Sequence, residues 1–235
     1  MICATGLYTE AEGNSAFWRL LSSYKGYDEA LKRLTDSYIH DINVGIGNTD
    51  VKCGLLKLSA GKGYISKLEE LSIHAGVLAQ KATGAPIISH TGQAAIGPNM
   101  ATMLLERGAD PQKTLIGHMC DTDDIDCLER TLKQGVYIGL DRFGLNMIFP
   151  DEKKCQVLYQ LVQKGYIEQI LVGHDCTIHN HAGNLIPDAM LATMPDWNMS
   201  GLFRTFIPRL MELGLTEAQV RKLLVDNPRK FFEGT

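Results

Sequence analysis

Ionisable residues recur along this chain at nearly constant intervals. Lys57 lies near the end of GLLKL, His90 ends PIISH and His118 ends TLIGH. Asp141 and Arg142 end YIGLDR, and His174 and Asp175 end ILVGHD. The steps are 33 residues (57 to 90), 28 (90 to 118), 24 (118 to 142) and 33 (142 to 175). Each is near the roughly 30 residues of one βαβ repeat. Two imidazoles and a carboxylate are a conventional donor set for a borderline divalent ion, with Zn²⁺ the expected one. Lys57 is the odd member, because an ammonium has no lone pair to offer. A buried lysine can lose its proton. If the amine then captures CO₂, the resulting carbamate has two oxygens that can bridge two metals.

Taken singly, these residues have plainer readings. His90 and His118 could be hydrogen-bonded structural histidines, Asp175 a helix cap, and Lys57 a strand-end residue reaching solvent. The joint recurrence favours a metal site, because every repeat places an ionisable group at the same point of its unit. His40 and His74 fall in helical stretches and read as surface or packing residues. His179 and His181 fall in the loop after the last strand and read as solvated, or as a border to a substrate. Arg142, at a strand end, could form an ion pair with a neighbouring carboxylate such as Asp141.

The elements that would position these groups are legible as alternation. The strand candidates are 2–5, 54–58, 86–90, 114–118, 136–140 and 169–173, each short and apolar on both faces, as in buried parallel strands. Amphipathic stretches lie between them. A capping box, Ser66 to Glu69, opens one helix, and Gly84 follows its end. Met100, Met103 and Leu104 form a stripe ending near Gly108, and Leu128 and Leu132 one ending at Gly135. Asp151 is expected to cap a helix closed by Gly165, and Thr216 and Gln219 to open a last helix with Pro228 just past its end. This pattern predicts a parallel α/β sheet in one domain, residues 1–235. A closed barrel needs eight strand–helix units, and six are visible. The alternatives are a doubly wound six-stranded sheet or a barrel with two units absent upstream. In a barrel the strand ends ring one mouth, where barrel enzymes place their sites.

Composition narrows the partners. Hydrophobic residues make up 45% and charged residues 21%, with a formal net charge of −4. No stretch is basic enough to follow a phosphate backbone, so nucleic acid is not expected. No apolar run approaches the roughly 18 residues that span a bilayer, so no membrane partner is expected. The first residues, MICATGLY, carry no charged leader or cleavage site. The six cysteines, none in a C-x-x-C, read as reduced thiols of a cytoplasmic protein. Cys120 and Cys176 adjoin candidate site residues, yet read first as small buried hydrophobes.

Several motifs together carry a family resemblance. ATGLY, the Lys57 strand, ISHTG at His90, IGHMCDTDDID at His118, YIGLDRFGL at Arg142, GHD at Asp175 and the terminal DNPRKFF resemble the phosphotriesterase family of the amidohydrolase superfamily, in particular its lactonase-like branch. The resemblance runs the length of the chain. It implies a TIM (β/α)8-type barrel with a binuclear metal centre. Lys57 would match the carboxylated bridging lysine, and His90 and His118 the histidines of the more exposed metal. Asp175 would match the carboxylate that ligates the buried metal and handles the proton of the bridging hydroxide. Tyr8 and Arg142 match positions lining the substrate pocket, and Trp197 falls where that branch often carries pocket aromatics. The implied substrate is a small-molecule lactone or carboxylic ester, with phosphotriester hydrolysis as a side activity.

One departure stands out. The family's first strand ends in His-x-His, which supplies two ligands to the buried metal, and no His-x-His precedes Lys57 here. His179 and His181 have that spacing but follow the last strand. ATGLY belongs to the family's third strand. The expectation is therefore an incomplete barrel lacking the first two βα units. Such a chain would bind about one equivalent of metal at most, hydrolyse lactones poorly or not at all, and oligomerise through unpaired strand edges or be poorly soluble. The competing reading is a truncated, non-catalytic barrel remnant with weak metal binding. A flavodoxin-like binding domain is disfavoured, because no Gly-rich phosphate loop follows the first strand.

Overall fold

The apolar runs do form strands. The computed structural model describes residues 2–11, 16–61, 63–176 and 192–234. Among them are six strands in the parallel α/β arrangement that the alternation predicts. The chain divides into two compact units, one of 1–117 with 127–137, the other of 118–126 with 138–235.

In the first unit, β1 (Cys3–Gly6), β2 (Cys53–Ala60), β3 (Ile87–Thr91) and β4 (Thr114–Ile116) pair in chain order, all parallel. Between β1 and β2 run α1 (Ala16–Lys25) and α2 (Tyr27–Asn43). After β2 and β3 come α3 (Lys67–Thr83) and α4 (Gly97–Glu106), and α5 (Ile125–Leu132) follows β4. Leu56, Leu58 and Ala60 of β2 are fully buried, as are Ile73 and Val77 of α3. Burying such side chains, about 1.5–3 kcal/mol each, fixes the helix on the sheet. The Ser66 capping box is present, and Gly84 closes α3 in the left-handed conformation. Glu69 has a second task, because its Oε1 also accepts from the Glu10 backbone N–H at 3.1 Å and so ties down the segment after β1.

Gly6 decides how β1 meets β2. It pairs with Lys57 at φ 153, and a Cβ there would fall 1.7 Å from the Lys57 carbonyl oxygen. The glycine of ATGLY is thus a close-approach residue.

In the second unit, β5 (Tyr137–Leu140) contributes Ile138 to Leu140, which pair in parallel with Ile170 to Val172 of β6 (Ile170–Val172). α6 (Asp151–Gln163) lies between these strands, and α7 (Ile207–Glu212), α8 (Glu217–Arg221) and α9 (Asn227–Glu233) follow. Phe143 and Phe206, both fully buried, pack with ring centroids 4.4 Å apart and planes tilted by 41°. Two expectations are corrected here. Asp151 does not cap α6: the preceding residue is Pro150, and the buried Asp151 side chain binds Lys154 instead. Pro228 does not stop the chain; it sits in the first turn of α9, where a missing N–H costs nothing. Asn227 explains the DNPRKFF motif, since its buried amide donates to the carbonyls of Ile167 and Ile170 at 2.7 and 2.8 Å and anchors the last helix to β6.

Candidate active site

Lys57 and His90 are strand residues. The strand carrying Lys57 extends three residues past it to Ala60, so Lys57 lies inside β2 and not at its end. The added residues Ser59 and Ala60 hold their place by pairing with His90 and Thr91. In this register Lys57 pairs with Ile88 and Ser59 with His90. Side chains alternate along a strand, so Lys57, Ser59, Ile88 and His90 share one face. His90 stands one strand over and one pleat further along, a step of about 6.6 Å along the strand. His90 is 6% exposed. The Tyr8 hydroxyl lies 3.4 Å from its Nδ1, with the two rings edge to face at 4.8 Å. Ser59 Oγ, on the same face and 1% exposed, has no hydrogen-bond partner within the structure. An orphaned hydroxyl there suits a face built to receive a further polar group.

In the second unit the groups sit just past the strand ends. His118 and Asp175 are the two non-glycine residues with positive φ among those described, at 59° and 48°. Such a conformation is costly for a side-chain-bearing residue and gathers at functional sites. His118 leaves extended backbone there, so strand alternation no longer sets its direction. Instead Asp141 does. Its Oδ1 accepts from the His118 ring Nδ1 at 2.8 Å, and both carboxylate oxygens accept from the His118 backbone N–H, at 3.1 and 3.2 Å. An ionised carboxylate can only accept, so Nδ1 carries the proton and Nε2 the lone pair of the neutral ring. Metal-binding histidines are oriented in this way.

Arg142 pairs with Asp121 and Asp175 and not with Asp141. Its Nη1 donates to Asp121 Oδ2 at 2.5 Å and its Nε to Asp175 Oδ2 at 3.2 Å. Burial opposes its charge, but the two carboxylates outweigh that and hold the guanidinium proton more tightly than usual. Asp175 Oδ2 also lies 3.9 Å from His118 Nδ1. Trp197 is 7% exposed, and its indole N–H donates to the His174 carbonyl at 2.9 Å. The His174 ring accepts from the Cys176 N–H through Nδ1 at 2.9 Å. Burial pushes the Cys120 thiol far up, and Cys176 is raised by burial and then by Asp175, so both thiols hold their protons more tightly than usual. His179 and His181 lie outside the described residues. His40 and His74 fall in α2 and α3, as expected.

The residues fit a metal in kind. Among the described residues, no three His, Cys, Asp or Glu side chains form a metal-ready group. Lys57 could join a donor set only as a carbamate, because an ammonium has no lone pair to give. Sequence reasoning missed Asp121, Ser59 and Lys154. Asp121 lies three residues after His118, within IGHMCD, which is the one available signal for it.

Comparison with known proteins gives a consistent result. The family model described as "Phosphotriesterase family" matches residues 1–232. An aryldialkylphosphatase of Saccharolobus solfataricus is 36% identical over 208 residues, covering 87% of this chain and 66% of that protein. Among solved structures, an organophosphorus hydrolase from Deinococcus radiodurans superposes with a TM-score of 0.89 at 33% identity, covering 98% of this chain and 70% of the other. A mutant PTE-like lactonase of the same organism gives 0.88 at 32%, covering 98% and 72%. The chain thus spans about two thirds of the length of the relatives it matches.

Proposed function

The chain belongs to the phosphotriesterase family, and from that premise we propose that it is a metal-dependent hydrolase of lactones and related carboxylic esters, with phosphotriester hydrolysis as a side activity. The observation that carries this reading is the His118–Asp141 pair, 2.8 Å apart, beside an Arg142 that bridges Asp121 and Asp175. Lys57 as its carbamate, His90, His118 and Asp175 would hold the divalent ions, with Zn²⁺ the expected metal. When bound, they supply a nucleophilic water near neutral pH and polarise the scissile carbonyl. Asp175 would take up the proton of the attacking water on its carboxylate. Arg142 and Tyr8 orient the ester, and Trp197 walls the pocket. Asp141 keeps the His118 ring in one tautomer.

Residues 1–235 are read as a single hydrolase barrel domain, cytoplasmic and forming a homo-oligomer. No helix among the described residues is long and apolar enough to cross a membrane. Neither nucleic acid nor membrane is assigned as a partner.

A second reading, a non-catalytic barrel with weak metal binding, is favoured by Asp175, whose Oδ2 is already engaged by the Arg142 Nε–H at 3.2 Å. Metal analysis and lactone hydrolysis by the purified chain separate the two. Turnover that is abolished by a chelator and restored by Zn²⁺ supports the hydrolase. Less than one bound metal and no turnover supports the second reading.

A further inference from the structure

Asp151 and Lys154 form a buried ion pair in the second unit. Their side chains are 1% and 0% exposed, with Nζ 3.0 Å from Oδ1. The Lys154 ammonium has two further acceptors, the carbonyls of Arg142 at 2.6 Å and Leu145 at 3.2 Å. Its three donors are therefore all used. Asp151 Oδ1 also accepts from the Gly144 N–H at 3.2 Å, and the Asp151 N–H donates to Asn146 Oδ1 at 2.8 Å. One turn of α6 thus holds the loop after β5 at residues 142, 144, 145 and 146.

The loop is pinned from its other side by Trp197. Gly144 has φ 95, and a Cβ there would fall 2.5 Å from the Trp197 Cα. Such a contact admits no side chain, so the backbone that Asp151 holds is the surface on which Trp197 rests. Asp151 Oδ2 is buried without a hydrogen-bond partner. A buried pair with an unsatisfied oxygen is a poor device for stability alone, since an apolar pair of the same shape would serve as well or better.

We propose that the Asp151–Lys154 pair is a positioning device for substrate selection, setting the Arg142 backbone and the seat of Trp197 without either residue touching substrate. The kinetic half of this rests on reading Arg142 and Trp197 as substrate-facing; the placement half stands on the geometry.

The test uses Lys154→Met combined with Asp151→Asn, which removes both charges together and keeps the volume. A Trp18→Phe background leaves Trp197 as the one indole. Nitrogen-edited NMR then reads the Trp197 indole N–H and the Arg142 Nε–H. Both resonances should shift by more than their linewidths, while bound metal per chain stays unchanged. KM for a lactone should rise about tenfold with kcat within about threefold. Lys154→Arg keeps the charge with a bulkier head, and should give effects of the same sign but smaller. It carries the test if the double variant does not fold. A folded variant of either kind with wild-type resonances and KM overturns the proposal. If the parent chain turns over no lactone, the functional reading alone fails, and the NMR shifts still decide the placement.

Discussion

Asp141 grips His118 twice, at the ring through Nδ1 at 2.8 Å and at the backbone N–H at 3.1 Å. The double contact fixes both the ring orientation and the left-handed turn, φ 59, that carries it. Asp141→Asn keeps the size but weakens both bonds and frees the tautomer. Metal affinity should fall about 10–100-fold, with thermal stability changed far less. Titration with Zn²⁺ against a competing chelator measures this; an unchanged affinity would remove His118 from the ligand set.

Lys57→Met should abolish tight metal binding, because no other residue on that strand face supplies carbamate oxygens. In the parent chain, bicarbonate should speed reconstitution of the apoprotein with Zn²⁺. Reconstitution at the same rate with and without bicarbonate would show that Lys57 is not carboxylated.

Arg142→Ala should change lactone kinetics while metal content stays near normal, since a guanidinium cannot ligate a cation. Its loss leaves Asp121, itself 9% exposed, without the Nη1–Oδ2 partner. A rise in KM of about tenfold is expected, with metal per chain measured in the same preparation. Metal loss in this variant would mean that Arg142 holds the site together rather than the substrate.

Gly6→Ala should be among the most destabilising single changes. The new methyl would sit 1.7 Å from the Lys57 carbonyl at a φ that side-chain-bearing residues avoid. A loss of at least about 3 kcal/mol is expected from the forced separation of β1 and β2. Chemical denaturation reads it directly, and a loss below about 1 kcal/mol would show that β1 adjusts freely.

His74 should make the protein less stable in mild acid. Burial, and then Arg107, hold its pKa below the ordinary value of about 6.5. Folding thus favours the neutral ring, and its contribution is complete above that value. As pH falls below it the unfolded chain binds more protons than the folded one, and stability declines until the folded pKa is passed. His74→Gln should flatten the stability curve over this window. An unaltered curve would assign the acid sensitivity to other groups.

The repeat of apolar runs, the capping box at Ser66 and the parallel α/β fold are all readable from residue order. Each depends on local periodicity or on chemistry that survives without knowledge of neighbours. What tertiary structure decided is which polar groups meet. Asp141 serves His118, 23 residues away, and leaves Arg142, its immediate neighbour, to Asp121 and Asp175. Adjacent residues diverge in this way because the chain leaves β5 and turns, so sequence proximity no longer predicts contact. The left-handed backbone at His118 and Asp175 was equally invisible, because neither residue type demands it; surrounding contacts impose it. A carboxylate at a helix start usually serves the helix's own N–H groups, which is why local sequence points to Asp151 as a cap. Its actual partners, Lys154 and Gly144, became its partners only once the loop after β5 folded back over α6 and removed them all from water.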